Sequence, residues 1–403
     1  MQKEEVFERT GVIEKVKPFL NTNIIKVFTG QRRVGKSFAM KQIADYVDSE
    51  NANIIFIDLE QFRFSKIKTD AELYDFIESK IEKGKENYLF IDEIQNVHGF
   101  ENVLRNYIST QECEVFVTGS NAKMLSGDLA TFIAGRYVEI PVHALSYREF
   151  LEFHKRNDSD ESLMDYLHFG GLPFLIHIEL TEENVFQYLS DVYSTVLVKD
   201  IVQRENIRNI EFLQTLASYI ADNVGSLFSA NNISKYLKSQ NIQISTPAII
   251  SYLNAFCNAH LIHRAQRADV CGLKIFESGE KYYFEDLGLR NALVGYDFQK
   301  DAGKLVENAV FNHLLRLGFD VFVGKLDDKE VDFIAKKANR KIYVQASYLV
   351  VDEKTTEREM RVLESINDNY PKYIVCMNPL MTHSNTNGIE FYHLRTFLLK
   401  EDF

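Results

Sequence analysis

Eight consecutive residues, Gly30-Gln-Arg-Arg-Val-Gly-Lys-Ser37, have a spacing with a definite chemistry. An apolar run precedes them and an amphipathic helical pattern follows, so the stretch reads as strand, turn and helix start. Gly30 and Gly35 let the backbone curl until successive N–H groups point inward, an arrangement that suits phosphate oxygens. The helix opening near Lys36 adds the positive end of its dipole. On this pattern Gly30, Gln31, Arg32, Arg33, Val34, Gly35, Lys36, Ser37 and Phe38 are the nucleotide-binding candidates. Lys36 is expected to reach the β- and γ-phosphates, and the Ser37 hydroxyl to coordinate Mg²⁺.

A second set follows in "NYLFIDEIQNV", an apolar strand ending in Asp92-Glu93. Asp92 is placed to hold the Mg²⁺, directly or through water, and Glu93 to polarise an attacking water. A second carboxylate beside the first favours hydrolysis over phosphoryl transfer to a small substrate. The next strand, in "CEVFVTGSNAKML", leads to Ser120 and Asn121, polar groups where a γ-phosphate sensor would sit; the plainer reading is a strand-to-helix turn. Arg136 is read either as an arginine finger or sensor, or as a solvated charge at a strand start.

Positioning these groups requires a sheet. Apolar runs at 23–28, 53–59, 88–92, 114–118 and 136–142 alternate with helical patterns, which predicts parallel strands joined by right-handed crossovers. One run, 53–59, lies between the phosphate loop and the acidic strand in the chain. After "FGGLPFLI", read as a turn with a nucleotide-state hinge as the alternative, helical patterns lead to three short helices beyond residue 209. Two strands with a glycine-containing turn come next, so the expectation over 209–290 is a winged helix-turn-helix. Its third helix carries Asn254, Asn258 and His260, with His263, Arg264 and Arg267 just beyond. Those few cations offer thin support for duplex DNA, and a protein-interaction role is the alternative.

The segment 291–403 opens with a helical pattern containing Glu307, then "EVDFIAKK" and "KIYVQAS". In the restriction-endonuclease-like fold a helix Glu, a strand Asp and an acid-x-Lys strand converge on Mg²⁺. Glu307 and Asp332 take the first two roles, but Gln345 stands where the second acid belongs and Ser347 where the lysine belongs. Lys341 shares the face of Gln345 but lies about 13 Å along the strand from the α-carbon level of Gln345. Lys354 is the other candidate replacement. The domain therefore reads as degenerate.

The chain has 403 residues, enough for two or three domains, and 45% hydrophobic residues suit globular cores. Its net charge of -12 argues against a surface coated for indiscriminate nucleic-acid binding. Four scattered cysteines suggest neither a disulfide framework nor a zinc site. The charged start resembles no signal peptide and no apolar run is long enough to span a bilayer, so a soluble, cytoplasmic protein is expected.

The phosphate loop with its Arg32-Arg33 pair, "FIDEIQNV", "VTGSNAKML", "GRYVEIPVHALSYREF" and "HFGGLPFLI" occur in that order. Together they resemble prokaryotic AAA-like ATPases that carry a nuclease-like C-terminal domain, and the resemblance covers nearly the whole chain. It implies a four-part α/β protein: an AAA-like P-loop domain (1–150), a helical linker or lid (151–208), a winged-helix domain (209–290) and a degenerate restriction-endonuclease-like domain (291–403). It also implies ATP and Mg²⁺ as ligands, with ATPase roles for Lys36, Ser37, Asp92 and Glu93, and it leaves a homo-oligomer open. The expected function is Mg²⁺-dependent ATP hydrolysis that drives or gates rearrangement of the C-terminal domains. The alternatives are a nucleotide-gated switch for DNA or a protein partner with negligible turnover, and a Mg²⁺-dependent nuclease.

Overall fold

The structure is a computed structural model that describes residues 7–119, 135–205, 207–239, 242–270, 275–348, 360–378 and 384–403. The chain divides into two compact units, residues 1–143 with 258–260, and residues 144–257 with 261–403.

The first unit is built on five strands: β1 (Ile25–Thr29), β2 (Ala52–Asp58), β3 (Glu86–Asp92), β4 (Glu114–Thr118) and β5 (Tyr137–Pro141). Every pairing is parallel, in the order β2-β3-β4-β1-β5. The five runs expected from the sequence are these strands, shifted by at most two residues. Their arrangement differs from chain order in one informative way. The run between loop and acid in the chain is β2, which lies at the sheet edge; β4 lies between β1 and β3 in space. The carboxylates at the end of β3 therefore stand one strand away from the phosphate loop, with the end of β4 between them.

Central strands buried on both faces read as continuous apolar runs, and β1 is buried at all five positions. Phe56, Phe90 and Phe116 stack across β2, β3 and β4 with ring centroids 5.9 and 4.6 Å apart. Helices α1 (Thr10–Val16), α2 (Lys36–Val47), α3 (Asp70–Glu78) and α4 (Phe100–Thr110) complete the described part of the unit. α3 starts where a Thr69–Glu72 capping box satisfies its first N–H groups. Its Leu73 and Ile77 join Val103, Leu104 and Tyr107 of α4 against the sheet.

The second unit contains helices α5 (Tyr147–Phe153), α6 (Asp160–Phe169), α7 (Glu182–Thr195), α8 (Ile210–Asp222), α9 (Ala230–Ser239) and α10 (Thr246–Asn258). A hairpin of β6 (Ile262–Asp269) and β7 (Ile275–Phe284) follows, then α11 (Leu287–Val294) and α12 (Phe298–Arg316). Strands β8 (Asp320–Leu326), β9 (Lys329–Lys337), β10 (Arg340–Ala346), β11 (Lys372–Cys376), β12 (Asn385–Thr386) and β13 (Ile389–His393) come next, and α13 (Leu394–Leu398) closes the chain.

The sheet order is β12-β13-β11-β10-β9-β8-β6-β7. The hairpin expected as a separate wing is thus part of this sheet, because 267–269 of β6 pair in parallel with 323–325 of β8. A seam at residue 290 would cut through one sheet and its helix. Tyr283 of β7 stacks on Phe311 of α12 at 4.2 Å, and Asn308 of α12 bonds both backbone groups of Phe284.

The Gly-Gly-Leu-Pro segment is a packed turn. The Gly171 amide donates to buried Asp286 at 2.7 Å, and the Asn291 side chain donates to the carbonyls of Leu167 and His168 just before it. These buried bonds favour the fixed turn over the hinge.

Candidate active site

Gly35, at the N-terminus of α2, has φ 94°, a left-handed conformation that glycine adopts without strain. At Gly30 the reason is space, since a Cβ there would lie 2.1 Å from the Val142 carbonyl oxygen. Between them the loop folds around buried Lys36, whose ammonium donates to the Gly30 and Gln31 carbonyls at 2.9 Å each. Arg32 pairs with Glu60 at 3.1 Å, while Arg33 and Phe38 are exposed. Gln31 is fully buried, and neither polar atom of its side chain has a partner among the described residues. A carboxamide left in that state costs about 1–3 kcal/mol, a penalty found most often at functional loops.

The acidic side of the site hangs on one hydroxyl. Thr118, at the end of β4, donates to Asp92 Oδ1 at 2.5 Å and accepts the Glu93 backbone N–H at 2.8 Å. Glu93 itself takes a left-handed conformation, φ 56°, which turns the chain sharply after β3, and Gln95 donates to its carboxylate. The Ser37 hydroxyl, in the first turn of α2, favours the charged form of the Asp92 carboxylate at the end of β3. Burial pushes the Asp92 carboxyl above its usual range against the hydrogen bonds from Ser37 and Thr118, and the charges of Glu93 and Asp58 push the same way. The donor set fits a divalent cation, because a hydroxyl and a buried carboxylate beside two more carboxylates are hard oxygen ligands short of positive charge.

Two positioning residues escape a reading of sequence alone. The Thr118 hydroxyl bonds the Asp92 carboxylate and the Glu93 backbone, and its only signal in the sequence is a polar residue ending an apolar strand. Arg9 lies in a charged stretch that reads as solvated, yet it is 5% exposed. Its guanidinium donates to the carbonyls of Val34, in the phosphate loop, and His143, at 2.9 Å each. The Gln42 side chain of α2 braces the same segment, accepting the Arg9 N–H at 3.0 Å and donating to the Phe7 carbonyl at 2.7 Å.

Arg136 stands elsewhere. Its carbonyl accepts the N–H of Ile25 at the start of β1, whereas the phosphate loop leaves the other end of that strand. Four residues of strand, about 13 Å, separate the two levels. Ser120 and Asn121 lie outside the described residues.

In the second unit Glu307, Asp332 and Gln345 come together, with an unforeseen addition. Lys281 of β7 is 2.9 Å from Glu307 and from Glu330, and 3.7 Å from Asp332. Ser347 adds only a backbone bond to the Val375 carbonyl. Lys341 is engaged 3.4 Å from Asp368, and Lys354 lies outside the described residues. The Gln345 carbonyl oxygen accepts the Asp332 N–H at 3.2 Å. The carboxylates are gathered around the Lys281 ammonium, where the nuclease-like pattern would place a divalent ion. The cations expected to face DNA are likewise committed: His263 to Glu285 at 2.5 Å, Arg264 to Glu280 at 3.6 Å and Arg267 to Glu330 at 4.0 Å.

A five-stranded parallel sheet with a phosphate loop after β1 and a carboxylate pair after β3 defines a P-loop ATPase domain of the AAA type. The family model described as an AAA domain matches residues 22–151, and one described as Domain of unknown function (DUF8612) matches 160–300. An uncharacterized protein of Haemophilus influenzae is 34% identical over 406 residues, covering 98% of this chain and 99% of that protein. An uncharacterized protein of Methanocaldococcus jannaschii is 30% identical over 377 residues, covering 89% of this chain and 82% of its own. The chain belongs to the same family as these two proteins, with an AAA domain in its N-terminal part. Among solved structures, the ORC1 protein of Aeropyrum pernix in complex with DNA is 10% identical, covering 70% of this chain and 91% of that one, with a TM-score of 0.31. A score that low carries no argument. Among the described residues no helix is long and apolar enough to cross a membrane.

Proposed function

We propose that the protein is a Mg²⁺-dependent ATPase whose nucleotide state drives rearrangement of the segments beyond the AAA domain. Backbone N–H groups from Gly30 to Phe38 bind the phosphates, and Lys36 exchanges its two loop carbonyls for β- and γ-phosphate oxygens. Ser37 and Asp92 hold the Mg²⁺, which when bound neutralises charge on the phosphates. Glu93 polarises the attacking water, while Thr118 keeps its backbone and the Asp92 carboxylate in register. Arg136, beside the edge strand of the sheet, is either a solvated charge or acts on a neighbouring chain's nucleotide in a homo-oligomer.

The observation that carries this reading is the Thr118 hydroxyl, which bonds the Asp92 carboxylate and the Glu93 backbone N–H at the end of the strand next to the one that leads into the phosphate loop. Glu93→Gln should keep ATP affinity within about threefold and reduce turnover by at least about 100-fold, since only the general base is lost. Lys36→Ala should abolish both. An enzyme that hydrolyses ATP normally with Gln at 93 would refute the assignment. The ion pairs at His263, Arg264 and Arg267 lend no support to duplex DNA as the partner.

A further inference from the structure

The side chains that resemble a nuclease site surround a residue the motif does not contain. Glu330 and Asp332 alternate with Val331 on β9 and so share one face, toward which Glu307 of α12 projects. Lys281 reaches the same point from β7, its side chain 4% exposed, with its ammonium 2.9 Å from Glu307 Oε1, 2.9 Å from Glu330 Oε1 and 3.7 Å from Asp332 Oδ1. We propose that the Lys281 ammonium is the resident cation of this cluster, so that the C-terminal domain takes no divalent ion there and serves as a non-cleaving scaffold.

Three physical points support this. The first is that two of the oxygens already accept other hydrogen bonds. Tyr283 donates to Glu307 Oε1 at 2.7 Å, and the Ala346 N–H donates to Asp332 Oδ2 at 2.9 Å. Glu307 is also boxed in from behind, where a Cβ on Gly225 would lie 2.7 Å from its Oε2.

Charge is the second point. Three carboxylates gathered at a largely buried point are strongly unfavourable without a cation, and an ammonium with three hydrogens can address three acceptors at once. Burial alone pulls the Lys281 pKa down, but Glu307, Asp332 and Glu330 more than reverse it, so the group stays charged.

The third point is exclusion. Mg²⁺ binds oxygen at about 2.0–2.1 Å, and an ion coordinated by these oxygens would fall within a few ångströms of the ammonium that now contacts them. A metal at this point would compete with Lys281 for the same carboxylates. The lysine missing at Ser347 has therefore not been restored as a helper to the metal. Its replacement from another strand stands in the metal's place and ties β7, β9 and α12 together.

Binding of Mn²⁺ to the full-length protein without nucleotide, counted by electron paramagnetic resonance, tests this. Wild type and Glu307→Gln should bind the same number of ions, and neither should cleave DNA with Mn²⁺. Lys281→Met should gain one site, and the gain should vanish in Lys281→Met/Asp332→Asn. If Lys281→Met fails to fold alone, Mn²⁺ should restore its circular dichroism, while Lys281→Arg, which keeps a cation, should fold without metal. The proposal is overturned if Glu307→Gln costs the wild type one Mn²⁺, if Lys281→Met folds yet gains no ion, or if the wild type shows Mn²⁺-dependent cleavage lost in Asp332→Asn. The comparison of wild type with Glu307→Gln decides the matter whatever becomes of the methionine variant.

Discussion

Thr118 has one hydroxyl and two tasks, donating to Asp92 and accepting from the Glu93 N–H. Thr118→Val keeps the shape and removes both bonds. Hydrogen bonds to charged groups contribute about 1.5–3 kcal/mol, so turnover should fall by about 10- to 100-fold. Nucleotide affinity should change much less, and Thr118→Ser should restore most of the rate; steady-state kinetics with a nucleotide-binding assay separates these effects. Arg136 gives the opposite expectation. Standing at the far end of β5, Arg136→Ala should leave turnover of dilute, monomeric protein within about twofold, the range of an ordinary surface change. A larger loss that grows with protein concentration would assign it to a neighbouring chain's nucleotide.

The segment before α1 and the phosphate loop form one mechanical element. Arg9 binds the Val34 carbonyl inside the loop, and Gln42 holds the Arg9 backbone from α2. Arg9→Ala should lower ATP affinity by about tenfold, through a loop that must now be ordered by the nucleotide itself. It should also lower thermal stability, because the Val34 and His143 carbonyls lose a charged donor. Sequence reading succeeded here where local chemistry decides. The phosphate loop, the five apolar runs and the Asp92-Glu93 strand end could all be read because glycine placement and apolar continuity act over a few residues. Sheet order could not, since the placement of β4 between β1 and β3 is a matter of crossovers. Nor could the grip of Arg9, or the arrival of Lys281 beside Asp332 from a strand some fifty residues earlier, an interval read from their numbers. Both are tertiary contacts between residues whose local pattern is that of an ordinary charged surface.

At the scale of the molecule, buried titratable groups set the pH range in which the fold persists. Burial lowers the pKa of His313 to about 3 and that of His154 to about 4, from an ordinary 6.5. Both are therefore neutral in the folded protein where the unfolded chain already takes up protons. Their contribution is fully present above about pH 6.5 and is lost progressively as the pH falls toward 4 and then 3. The midpoint of urea unfolding should fall as the pH is lowered from 6.5 to 4, and His313→Gln should flatten that slope. In the second unit His263, Arg264 and Arg267 are each paired with a carboxylate.

The central claim is that Glu93 activates water in a site where Lys36, Ser37 and Asp92 hold Mg·ATP. Single-turnover hydrolysis of radiolabelled ATP by the full-length Glu93→Gln protein, with bound nucleotide measured in the same samples, tests it most directly. The account predicts ATP that is bound and remains uncleaved, with hydrolysis slowed by at least about 100-fold. Cleavage at the wild-type rate, or a protein that no longer binds ATP, would contradict it.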